Sequence, residues 1–230
     1  MRIGFLLYPG LTQLDLTGPA QVLSRMPGAT VDYVAKTMAP VMSDCRLALS
    51  PTVTLADAGQ FDMLMIPGGY GCTPVMLDDE VLGWLRDQAQ GAQWLTSVCT
   101  GSLILAAAGL LTGYRAGCHW AWGEHLAAFG ATFVAERTVV DRNRITAGGV
   151  TSGIDFAFRI VAQLHGQDEA DRLALMLEYD PQPMTGGSPA SARPEILAEV
   201  QPMLQGRIGA DRAAAIAEAA ARLAGAGASR

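Results

Sequence analysis

The chain has 230 residues, 50% of them hydrophobic and 17% charged, with a formal net charge of −6. That length supports one sizeable core, the acidic balance without a Lys/Arg cluster argues against nucleic acid as a partner, and no stretch reaches the ~18 uninterrupted apolar residues of a membrane span. Four cysteines, none in a C-x-x-C pair, stand beside only three histidines, which speaks against a zinc site and for free thiols in a reducing compartment.

The opening "MRIGFLLYPG" has one Arg and too short an apolar run for a signal peptide. It reads as a buried first strand over residues 3–8, stopped by Pro9-Gly10, and places the protein in the cytoplasm. Residues 15–25 pass from loop to helix, residues 30–36 alternate as a strand, and residues 40–55 suggest a hairpin. "FDMLMI" is another buried strand, ended by "PGGYG"; residues 78–90 form a helix with acids at its start, as the helix dipole prefers. Residues 94–98 are a strand, Cys99 follows, and residues 100–110 are a helix. A short strand over 114–118, a helix "AWGEHLAAFG" closed by Gly130, and strands over 131–135 and 138–147 with a turn at "DRNR" come next. Helices over 152–164 and 168–179, a Pro/Gly/Ser loop, and two Ala-rich helical segments with a frayed end complete the chain. Apolar strands alternating with helices predict an α/β fold: a mainly parallel sheet covered by helices on both faces. Residues 1–189 form that domain, with 190–230 a helical extension packed on it.

In such a sheet the site lies beyond the carboxyl ends of the strands. "YPGLTQLDLTGP", "PGGYGC", the Cys99 turn and "TAGGVTSG" all fall there. Cys99 sits between strand and helix with Gly101 and Ser102 as small neighbours, the pattern of a nucleophile elbow. A cysteine at a helix N-terminus is expected to have a lowered pKa, and the thiolate is the competent nucleophile; the alternative is a packed thiol. Asp15, between two leucines, is either a helix N-cap or a carboxylate facing that thiol. His119 either pairs with Cys99 or packs between Trp120 and Trp122. Cys72 and Cys118 read as packing, and Cys45 as the least reactive. "PGGYG" lacks a phosphate-loop lysine and reads as a glycine turn whose amides line the site. Trp120, Trp122 and Met184 are candidate pocket residues, although helix-spaced aromatics are more often part of the core.

Taken together, "LDLTGP", "PGGYG", "VCTGSLILAAAGLLTG", "HWAW" and "EYDPQP" resemble the DJ-1/PfpI superfamily, over roughly residues 2–189. Within it the pattern looks most like that of the isocyanide hydratases. The resemblance implies a flavodoxin-like sandwich, a homodimer, no cofactor, and hydration of a small-molecule isocyanide to an N-substituted formamide through a cysteine thioimidate. It makes Cys99 the nucleophile, Asp15 the neighbouring acid and Thr100 the residue after the nucleophile; Gly148 and Val150 match backbone positions lining the site, beside Gly69 of the glycine turn. Thr100 stands where the PfpI-type proteases carry His, which argues against peptidase activity. A cysteine-based redox or small-molecule sensor, and a glyoxalase-like activity on α-oxoaldehydes, are the competing readings. The tail shows no recognition-helix pattern of the AraC-type regulators.

Overall fold

The computed structural model describes residues 1–183 and 186–228; Met184 and the last two residues of the expected frayed end, Ser229 and Arg230, lie outside them. Seven strands form the central sheet in the order β10 (Thr138–Asp141), β11 (Arg144–Ala147), β7 (Trp94–Val98), β6 (Met63–Ile66), β1 (Arg2–Leu6), β2 (Thr30–Ala35), β5 (Val53–Thr54). Only the β10–β11 pair is antiparallel. In the middle the register sets Ile3 beside Met63 and Met65 beside Thr96. All four residues of β6, and all but the first of β1 and β7, are buried. Helices cover both of their faces, so these strands read as apolar runs rather than alternating ones.

Two helical groups flank the sheet. On one, α1 (Gln13–Leu23) packs against α5 (Ser152–His165), which packs against α6 (Gln167–Met176). In the other, α4 (Gly101–Ala107) contacts α2 (Cys72–Val75), α3 (Asp79–Gly91), a 3-10 helix (Gly123–Phe129) and α7 (Pro194–Ala228). From β1 the chain moves outward to β2 and β5, then returns to β6 on the other side and continues to β7 and β11. The direction of winding therefore reverses between β1 and β6. In open α/β sheets such a reversal opens a crevice at the carboxyl ends of the strands.

Several local expectations change. The region read as a hairpin holds a two-stranded pair, β3 (Val41–Met42) with β4 (Ala48–Leu49), and then β5, which leaves it to extend the main sheet beside β2. The predicted strand after α4 shrinks to β8 (Arg115–Ala116), paired in parallel with β9 (Thr132–Phe133) in a separate two-stranded sheet that lies against β10 and β11. The segment before Gly130 is 3-10 rather than α-helical, and Gly130 ends it in the left-handed region at φ 72°. The two tail segments are one helix of 35 residues that runs through Pro202.

A buried polar link ties β7 to α4. The Ser102 hydroxyl donates to the Gly117 carbonyl at 2.6 Å and shares a 2.8 Å hydrogen bond with Ser97 Oγ. Ser102→Ala leaves both partners short of a bond in a dry interior. It is expected to lower stability by about 1–3 kcal/mol, read by urea denaturation.

Candidate active site

The site forms where β1, β6 and β7 end. Cys99 directly follows β7, with Thr100 between it and the start of α4, and its φ is +59°. A non-glycine residue held in this region costs about 1–3 kcal/mol. It is fixed there because its N–H donates to the carbonyls of Ala147 at 3.2 Å and Gly148 at 2.8 Å, both from the end of β11. The turn also needs two glycines. A Cβ on Gly101 would fall 2.1 Å from the Ile66 carbonyl oxygen, and one on Gly68 would fall 2.5 Å from the Thr100 nitrogen and 2.8 Å from Cys99 Cβ. Gly101→Ala is expected to disrupt folding outright, seen as loss of a cooperative thermal transition, because the obstructing atom is backbone and cannot rotate away.

Asp15 lies in the first turn of α1 but does not cap it. The N-cap is Thr12, whose hydroxyl donates to Asp44 Oδ2 at 2.6 Å. Asp15 is instead fully buried, and its Oδ2 accepts the Gly68 N–H at 2.8 Å across the crevice. Its Oδ1 is buried without a hydrogen bond of ordinary geometry. Burial pushes the carboxyl up to about 7; the Gly68 amide and the adjacent Cys99 thiol pull it down, and Asp44 pushes it up.

The Cys99 sulfur does not have the lowered pKa expected from its position. Burial pushes the thiol well above its ordinary value, with Asp15 and Cys118 adding to the rise and the Thr100 amide opposing it. Cys99 is only 5% exposed, and α4 has just seven residues, so its dipole is small against the desolvation of a sulfur anion. At rest the thiol keeps its proton, and the carboxyl beside it is poised near neutrality.

The remaining expected residues divide between framework and rim. Thr100 meets the Cys99 sulfur through its backbone amide, not its hydroxyl. Its hydroxyl accepts from Gly69 N at 3.0 Å and donates to Gly69 O at 3.2 Å, bracing the 67–71 loop. Gly69, at φ 129°, has both backbone groups engaged in this brace. The Gly148 carbonyl anchors Cys99 and its N–H donates to Arg137 O at 3.1 Å, so its peptide groups serve the scaffold. Val150 is half-buried in the turn before α5.

His119 Nδ1 accepts the Ala121 N–H at 3.3 Å, and burial lowers its pKa to about 4. It is neutral at pH 7, with Nδ1 already occupied. Trp120 stacks on it at 5.6 Å, while Trp122 is buried beneath an arginine rather than lining an open pocket. An apolar groove of about 460 Å³ opens elsewhere, between Leu14 and Gly18 of α1, Ile154 and Phe158 of α5, and Tyr179.

Several contributors are not apparent from the sequence. Gly68 supplies the amide to Asp15. Tyr8, two residues beyond β1, donates from its buried hydroxyl to Pro67 O at 2.7 Å and so fixes the start of the glycine loop. Cys72 and Cys118, read as packing, are buried thiols electrostatically coupled to each other and to Asp15. Arg212 reaches the same loop from α7. Only Gly68 carries a local signal, as part of the glycine turn; the others meet through the fold. Among the described residues no group of three or more His, Cys, Asp or Glu side chains is placed to hold a metal ion, and no helix is long and apolar enough to cross a membrane.

Asp44 offers a test of the carboxyl's setting. Its charge raises the Asp15 pKa, so Asp44→Asn is expected to shift the Asp15 titration below about 7. The check is an NMR titration of the Asp15 carboxyl carbon, assigned by its disappearance in Asp15→Asn.

The DJ-1/PfpI family model matches residues 1–163. The chain is 46% identical over 202 residues to an isonitrile hydratase of Pseudomonas putida, an overlap of 87% of this chain and 89% of that protein. It is 31% identical over 190 residues to an HTH-type transcriptional regulator of Pseudomonas aeruginosa, covering 77% of this chain and 50% of the regulator. Among solved structures it resembles a ThiJ/PfpI family protein from Pseudomonas syringae with a TM-score of 0.87 and 40% identity, over 95% of this chain and 90% of that one. With a mostly parallel helix-covered sheet, a cysteine elbow and these matches in agreement, the chain belongs to the DJ-1/PfpI family.

Proposed function

We propose that this protein hydrates isocyanides, also called isonitriles, to N-substituted formamides, with Cys99 as nucleophile and Asp15 as proton carrier. The observation that carries the reading is the geometry of the pair, the Cys99 thiol at the elbow and the buried Asp15 carboxyl beside it, held by the Gly68 N–H at 2.8 Å, with burial raising the pKa of both. The likeness to the Pseudomonas putida isonitrile hydratase supports the substrate class.

The terminal carbon of an isocyanide must gain both a nucleophile and a proton. As the sulfur attacks that carbon, the Asp15 carboxylate takes the thiol proton and passes it to the same carbon, giving the thioimidate R–N=CH–S–Cys99. The ionised pair would be two like charges in a dry site, so the proton must move as the S–C bond forms. Water then adds to the thioimidate carbon. Asp15 accepts one water proton and delivers it to nitrogen, leaving R–NH–CH(OH)–S–Cys99. Loss of the hydroxyl proton to sulfur forms the carbonyl, breaks the C–S bond, releases R–NH–CHO and restores the thiol. Thr100 and Gly69 keep the loop bearing the Gly68 amide in place, the Gly148 carbonyl holds the elbow, and the Val150 backbone borders the substrate.

The test is formamide formation from a simple alkyl or aryl isocyanide by the wild type and Cys99→Ala, with an α-oxoaldehyde offered in parallel. Formamide from the wild type alone supports the reading. Formation of a 2-hydroxy acid from the oxoaldehyde without formamide would replace it with glyoxalase chemistry.

A further inference from the structure

Arg212 belongs to the middle of α7 and is 1% exposed, the largest fully buried side chain among the described residues. Its Nε donates to Thr73 Oγ1 at 3.1 Å, and its Nη2 donates to the carbonyls of Gly69 at 3.0 Å and Tyr70 at 3.4 Å. Its guanidinium lies 4.6 Å over the Trp122 ring. All three of these acceptors are neutral. A buried cation held by neutral groups is an expensive way to dock a helix. The same helix already buries Ala215, Ile216 and Ala219, and an apolar side chain at 212 would extend that contact at less cost.

What a guanidinium does here, and an apolar group cannot, is join two successive carbonyls of the glycine loop. The Gly69 carbonyl it grips also takes the Thr100 hydroxyl. The preceding residue, Gly68, points its N–H at Asp15. A loop with consecutive glycines has little stiffness of its own, so its geometry depends on such ties. We propose that Arg212 is a positioning residue of the site, clamping residues 69 and 70 from α7 so that the Gly68 N–H stays fixed on Asp15. The inference rests on the reading of Asp15 as the proton carrier.

The consequence is a pH dependence of known sign. Asp15 is faced by Cys99 from the elbow, Asp44 from the β3–β4 segment, Tyr8 from just beyond β1, Cys72 from α2 and Cys118 from the segment after β8. Of these surroundings the Gly68 amide is the largest influence holding its carboxyl down. Asp15 must be ionised to accept the thiol proton, so activity falls on the acid side as it protonates. A loosened amide raises its pKa and moves that acid limb to higher pH. Loss of one amide bond to a carboxylate corresponds to a shift of about one unit, or roughly tenfold lower kcat/KM well below the limb.

The experiment compares the wild type, Arg212→Met, Arg212→Lys and Ile216→Ala. The readouts are the pH profile of kcat/KM with a simple isocyanide and the NMR titration of the Asp15 carboxyl. Arg212→Met is expected to raise both the acid limb and the carboxyl titration by about one unit. Lysine, which keeps a donor but cannot fork across two carbonyls, should give a smaller shift and serves as the main variant if methionine prevents folding. Ile216→Ala loosens the same helix without touching the loop and should lower Tm while leaving both pH readouts in place. An unmoved carboxyl titration in the folded arginine variants overturns the proposal and leaves Arg212 a structural residue. Absence of isocyanide turnover in the wild type would sink the hydratase reading, whereas the NMR titration would still decide the clamp.

Discussion

Cys99→Ala is expected to retain the fold and form no formamide above the uncatalysed rate. Alanine keeps the Cβ, and the elbow is held by backbone bonds from Cys99 N to Ala147 and Gly148, which do not involve the sulfur. The strain at φ +59° is likewise unchanged, so Tm should move little. Without the sulfur there is no thioimidate, and water must meet the isocyanide carbon directly. Cys99→Gly makes a useful companion: it relieves the left-handed strain, so any stability gain from it measures what the fold spends to hold a side chain there. The measurement is formamide production by chromatography beside thermal unfolding. Full turnover by the alanine variant would falsify the nucleophilic mechanism.

Asp15→Asn is expected to have two large effects of opposite sign. Activity should fall by about 10²–10⁴-fold, the usual contribution of a positioned proton carrier, because an amide can accept the Gly68 N–H but cannot take the thiol proton. Stability should rise at alkaline pH. Burial pushes the folded carboxyl up to about 7 from its ordinary value of 3.8, so between these values the folded state binds the proton more tightly than the unfolded one. The contribution of Asp15 to stability is then fully present below about pH 4 and is lost as pH rises to about 7. At 1.36 kcal/mol per unit the full decline is on the order of 4 kcal/mol. The neutral amide side chain escapes this decline, so the variant should exceed the wild type in denaturant midpoint at pH 8 and match it near pH 4. Equal stabilities at pH 8 would mean the carboxyl is not held near neutrality by burial.

The parts of this protein visible in its sequence are those with local causes. The runs "IGFLLY" and "MLMI" announce fully buried strands because helices cover both faces of the sheet, and Cys99 announces a turn because Gly101 and Ser102 follow it. Asp78 does cap α3, accepting from Val81 N at 3.2 Å. What the sequence hides depends on distant contacts. Asp15 reads as a cap until Gly68, 53 positions away, is found opposite it. Helix position alone predicts a lowered thiol pKa, but burial, which only the assembled layers supply, reverses its direction. The Ala-rich tail reads as two helical segments, yet a single helix runs through it, Pro202 included. Arg212, one arginine among several in an Ala-rich tail, carries no local mark that it turns inward.

A sulfur that is buried and protonated at rest also settles what the protein can ignore. Alkylating agents, disulfides and peroxides react with the thiolate fraction, and that fraction is kept small here. A carbon that accepts sulfur and hydrogen together needs no standing anion. On the proposed mechanism, burial is expected to make the elbow chemoselective: slow toward the soft electrophiles and oxidants that consume exposed thiols such as Cys45, and reactive toward a partner that takes up both halves of an S–H bond at one atom.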